Sequence, residues 1–162
     1  MKRRKLWIGM AVFAAVAALG IARVWVWMNP HGTFNTGSSG LALAGYDPVS
    51  YFPEGGGAPL AGNPALTAEV DGRLYRFASE ENRTRFQSDP AHYEPQFGGW
   101  CTYAVANGYK FHVDPESFLV KDGRLLLFYR GAFGDAKAEF EKADVAKEIS
   151  NADANWQTLR AD

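Results

Sequence analysis

The chain is poor in the residue types that most often do chemistry. It has one cysteine, Cys101, and three histidines in 162 residues. A single cysteine excludes an intramolecular disulfide and a zinc site built on paired CxxC motifs. Also missing are GxSxG, HExxH and CxxC motifs, and no glycine-rich loop runs into Lys-Ser or Lys-Thr. Gly55-Gly56-Gly57 lacks that continuation and reads as a plain loop. Adjacent acids such as Glu80-Glu81 suit the first turn of a helix better than a general acid/base pair. A basic stripe is missing as well. Five of the 17 basic residues (Lys2, Arg3, Arg4, Lys5, Arg23) lie in 1–28, which has no acid, so the rest carries 12 against all 18 acidic residues, a net −6. An acidic domain of this kind argues against nucleic acid as a partner.

What is present begins with an N-terminal targeting pattern. The basic cluster Lys2–Lys5 precedes an uncharged run from Leu6 to Ala22, then Arg23 and Val24-Trp25-Val26-Trp27-Met28. At about 1.5 Å per residue, 1–28 is long enough to cross a hydrocarbon core of about 30 Å. Arg23 can snorkel to the outer interface, where Trp25 and Trp27 suit an aromatic belt. The positive-inside rule leaves the basic end in the cytoplasm and the rest of the chain on the extracytoplasmic, periplasmic side. The expectation is therefore a single-pass transmembrane helix that anchors the protein in the cell membrane. The alternative is a secreted or periplasmic protein, cleaved near Gly20-Ile21-Ala22. The stretch 29–42, rich in Gly, Ser, Asn and Thr, reads as a flexible tether in which His31 is a solvated residue.

The remainder, 43–158, has the composition of one domain, with 47% hydrophobic and 14% aromatic residues overall. Asp71-Gly72 between alternating arms predicts a hairpin over 67–77, and Asp122-Gly123 predicts a second over 118–129. Both hairpins contain Asp-Gly-Arg-Leu, an echo explained by a shared need for the same tight turn. The second arm, Arg124-Leu125-Leu126-Leu127-Phe128-Tyr129, is nearly continuously apolar and is placed in the middle of the sheet. Ser79 caps a predicted helix to Ser88. Asp89-Pro90 starts another, and Trp100 to Ala106 forms a short one ended by Asn107-Gly108. From Ala132 onward the pattern is amphipathic helix, with Phe140, Val145, Ile149, Trp156 and Leu159 facing the core. Grouped strands and helices predict an α+β fold, a small antiparallel sheet built from hairpins with short helices packed on it.

Three residues are candidates for a metal site: Cys101, His92 and His112. Cys101 follows Gly98-Gly99-Trp100 at a predicted helix start, where backbone N–H groups can stabilise a thiolate. Its structural alternative is a small hydrophobe among Trp100, Tyr103 and Val105. His92 and His112 would complete a ligand set suited to copper or zinc. As structural residues, His92 offsets a helix dipole and His112 sits at the surface. Tyr46, Asp47, Tyr51, Tyr75, Tyr93 and Trp100 can line a small-ligand pocket or serve as core aromatics with satisfied polar tips.

Several separated runs resemble one family. Gly45-Tyr46-Asp47-Pro48-Val49-Ser50-Tyr51-Phe52 is similar to the opening of YHS domains. So are Tyr75–Arg83 with Phe86, Asp89-Pro90-Ala91-His92-Tyr93, and Gly98–Ala106. With Ala152-Asp153-Ala154-Asn155-Trp156 these match an exported branch of the family over 43–158. The resemblance implies a small α+β fold and an association with metal or redox systems. It also carries a departure: Ser50 and Ala78 stand where metal-handling members have cysteines, so the usual metal site is not implied. Three functions follow as expectations. The first is an extracytoplasmic binding module, handling copper or zinc through Cys101, with a protein partner in the cell envelope. The second is a thiol-redox protein using Cys101, and the third a non-enzymatic scaffold.

Overall fold

A computed structural model describes residues 19–20, 24, 30–36 and 40–161. Apart from Leu19, Gly20 and Val24, the expected membrane segment lies outside the described residues, as do 29 and 37–39 of the expected tether. No helix among the described residues is long and apolar enough to cross a membrane. The chain divides into two compact units, Met1–Pro30 and His31–Asp162, and among the described residues the strands and the two hydrophobic cores belong to the second.

The fold is α+β, with short helices and small antiparallel sheets. Strands β1 (Asn63–Val70) and β2 (Arg73–Phe77) form the first hairpin, and β3 (Asp114–Lys121) and β4 (Arg124–Phe128) the second. Helices α1 (Glu80–Ser88) and α2 (Pro90–Tyr93) follow the first hairpin, and α3 (Thr102–Ala106) precedes the second. A tiny hairpin, β5 (Arg130–Gly131) and β6 (Gly134–Asp135), leads to α4 (Ala136–Lys142) and α5 (Val145–Leu159). The hairpin turns form because Asp71-Gly72 and Asp122-Gly123 all take positive φ, as a two-residue turn matching the strand twist requires. The predicted caps are in place. Ser79 Oγ accepts from Asn82 N at 3.1 Å and Asp89 Oδ1 from His92 N at 3.3 Å.

One expectation is corrected in detail. Instead of a single sheet, the described residues form three separate two-stranded ones. β4 is nevertheless enclosed on both edges. β3 pairs with one, and single bridges from Pro95 to Leu125 and from Cys101 to Leu127 occupy the other. Its two faces feed different cores, which explains the unbroken apolar run. Leu125 and Leu127 join Val49, Tyr51, Phe77 and Phe86, whereas Leu126 and Phe128 join Trp100, Val105, Phe140 and Ala152. Fully burying a side chain of this size contributes about 1.5–3 kcal/mol, so β4 links the two halves energetically.

The two halves follow the same path. Leu41 bridges to Leu74 and Pro95 bridges to Leu125, both parallel. After each bridge comes a tight left-handed turn, Leu43-Ala44-Gly45 in one and Phe97-Gly98-Gly99 in the other, every residue at positive φ. Next, Asp47 N donates to Leu60 O at 2.9 Å, and Cys101 N to Phe111 O at 3.0 Å. Each hairpin opens on an Asx turn before a register shift, Asn63 Oδ1 accepting from Ala65 N and Asp114 Oδ1 from Glu116 N. Pro64 and Pro115 occupy matching places there, at the strand start where a missing donor is tolerated. Each hairpin ends on a phenylalanine packed against the helix that comes after it. Phe77 lies 5.2 Å from Phe86, and Phe128 lies 5.0 Å from Phe140. The shared Asp-Gly-Arg-Leu is thus one part of a longer structural repeat.

Candidate functional site

The equivalent hub positions of the two motifs are Asp47 and Cys101. Asp47 is fully buried and accepts three hydrogen bonds, from Val49 N at 2.9 Å, Ala78 N at 2.8 Å and Asn82 Nδ2 at 2.7 Å. It ties the first 3₁₀ turn to the end of β2 and the start of α1. Cys101, at the N-cap of α3, is also buried, and its Sγ accepts from Tyr129 N at 3.3 Å. Burial pushes the thiol above its ordinary value. Backbone N–H groups of Ala104, Tyr129 and Tyr103 oppose that shift without overcoming it. The helix-start effect expected for Cys101 is therefore present but outweighed by desolvation.

The histidines sit in different surroundings. His92, in α2, clusters with Phe52, tilted at 4.9 Å, and Tyr93, edge-on at 4.6 Å, with Nε2 3.5 Å from Glu54 Oε1. His112 follows Phe111, its ring 5.7 Å from Trp100. Among the described residues no group of three or more His, Cys, Asp or Glu could hold a metal ion. Cys101, His92 and His112 are therefore not brought together as a three-ligand set for copper or zinc.

What the fold does build is a cavity of about 360 Å³ between the two motif turns. Leu41–Ala44 form one wall, Pro95, Gly98 and Gly99 another, and Tyr75, Leu127 and Val113 the apolar floor. Its polar groups include Arg73, His112 and Asn35, and of the three sequence candidates only His112 faces this space. Arg73 is held by Glu94, at 3.0 Å, and by Asp71, at 3.1 Å. Tyr75 donates to Glu94 Oε1 at 3.3 Å, and burial raises its phenol above the ordinary range. The other aromatic tips are engaged structurally. Tyr46 donates to Glu116, Tyr51 to Pro115 O, and Trp100 Nε1 to Gly32 O.

Sequence reasoning missed one component. Phe34, Asn35 and Thr36, within the stretch read as a tether, line the cavity, and residues 32–35 are fastened to the domain as a strap. Besides the Trp100 bond to Gly32 O, Thr33 Oγ1 donates to Arg160 O at 2.9 Å. Asn35 donates through its backbone to Gly98 O at 2.8 Å and through Nδ2 to Gly99 O at 3.0 Å. Phe34 lies under the Arg73 guanidinium, 3.9 Å from ring centroid to Cζ. Low hydrophobicity concealed this strap, because its attachments use main-chain groups and a single aromatic ring.

No family model, curated protein or solved structure matches the chain.

Proposed function

We propose that the chain is a membrane-anchored extracytoplasmic binding module of YHS-like type, and that its ligand seat is the cavity between the two motif turns. One observation carries the reading. The cavity is lined by both motifs and presents Arg73 and His112 beside the apolar surface of Tyr75, Leu127 and Val113, in the size range that holds a small molecule. The thiol, by contrast, is closed into the interior and biased towards its neutral form. This favours a binding module over a thiol-redox protein, since a reactive cysteine needs access and thiolate character. The anchor and the side of the membrane rest on the charge and length pattern of 1–28.

The test uses the full chain in detergent micelles, titrated with a fragment library and followed through its methyl resonances. Binding should shift Leu43, Val113 and Leu127 while leaving Leu126 and Ile149 in place. Failure of every fragment to shift the cavity methyls would overturn the reading. In parallel, Cu(I) and Zn(II) are competed against a chelator for the parent and Cys101→Ser. Equal retention by both proteins is expected. Tight one-to-one binding lost in the variant would move the function to metal handling.

A further inference from the structure

The strap over Gly32–Asn35 divides two spaces. Phe34, Arg73, Pro95 and Gly98 line both the cavity between the motifs and a shallower depression of about 500 Å³ that reaches Glu94, Trp156 and Arg160. Arg73, Pro95 and Gly98 line both spaces, so the two adjoin beneath the strap.

This shared lining is shaped to pass a peptide backbone. A Cβ built on Gly98 would overlap the Thr33 carbonyl oxygen. The left-handed conformation alone does not require glycine there. The first motif places Ala44 at φ 51 in the equivalent turn, against φ 60 for Gly98. What demands glycine at 98 is the close approach of the strap's main chain. The remaining contacts are also those of peptide recognition. Carbonyls of Gly98 and Gly99 accept from one asparagine, the Trp100 indole donates to a strap carbonyl, and one aromatic ring stacks on Arg73.

We propose that these adjoining spaces form a peptide seat, filled in cis by Gly32–Asn35 and open in trans to an extended segment of a partner protein carrying an aromatic residue followed by asparagine. The proposal rests on the binding-module reading and names the partner class. In the cis state the strap is tethered beside its own seat, so a partner must compete with a high local concentration.

The probe is a fluorescent peptide of the chain's own sequence His-Gly-Thr-Phe-Asn-Thr, residues 31–36. It is titrated by polarisation against the full chain in micelles. F34A/N35A weakens the cis strap and should bind the probe about tenfold more tightly than the parent. Adding Gly98→Ala to that variant should abolish binding, because the new Cβ occupies the place of the probe's main chain. Trp100→Phe in the same background, a milder change, should weaken the probe measurably. A probe with alanine in place of Phe and Asn should not bind. Equal affinity in parent and F34A/N35A, binding that survives Gly98→Ala, or no binding to any form would overturn the proposal. Fragment shifts at Leu43 and Leu127 without peptide binding would remove the peptide proposal alone. Loss of both would remove the binding-module reading too.

Discussion

In the first motif the buried hub is a carboxylate with three N–H donors, and in the second it is a thiol at the same point of the same path. Asp47 fastens three segments at once, through Val49 N, Ala78 N and Asn82 Nδ2. Cys101 has a weaker acceptor and sits in surroundings that favour the uncharged form. The backbone plan is therefore insensitive to whether its hub is ionic or apolar, provided each hub's own donors are satisfied. The arginines that follow the turns differ in the same manner. Arg73 is 8% exposed and clamps Glu94, whereas Arg124 is 28% exposed and pairs with the half-exposed Asp153.

The contrast can be broken most forcefully at Asp47. Asp47→Ala leaves two buried donors, Val49 N and Asn82 Nδ2, and the part-buried Ala78 N without their acceptor, and should destabilise the domain by about 3–5 kcal/mol, measured as the shift in denaturant midpoint. A loss below about 1 kcal/mol would mean that the hub is not an energetic centre. The arginine pair comes next. Arg73→Ala should cost about 2 kcal/mol because it strips the partner from partly buried Glu94, while Arg124→Ala should cost less than about 1 kcal/mol. Equal costs would show that the motifs load their arginines alike.

The smallest effect is expected at the second hub, where Cys101→Ser should cost about 1 kcal/mol. The thiol itself sharpens this case. Its folded value is raised, chiefly by burial, so the neutral form is the one the fold keeps. Any stability this gives is complete at neutral pH and is lost as pH rises through the folded value. Alkylation at mildly alkaline pH should therefore be slow in the native protein and fast after denaturation. A native thiol reacting as fast as a free one would contradict the buried assignment.

Much of the local structure was legible in the chain. Turn chemistry at Asp71-Gly72 and Asp122-Gly123, the Ser79 and Asp89 caps and the core positions Phe140, Val145, Ile149, Trp156 and Leu159 all stand where the residues placed them. These are short-range signals, fixed by one residue's φ preference, one side chain's reach to a nearby N–H, or helical spacing. The candidate site was only partly legible. Tyr75 and His112 were singled out, but Arg73 read as a strand residue and Phe34 and Asn35 as tether.

The sequence by itself determined the hairpin turns, the helix starts and the apolar content of β4, because each depends on neighbours along the chain. Only the tertiary structure decided that β4 serves two cores, that Asp47 and Cys101 occupy matching hubs, and that Phe34 and Asn35 line a cavity shared with turns far apart in the chain. Those features depend on contacts between distant segments, which close only once burial and main-chain hydrogen bonding offset the entropy of bringing them together.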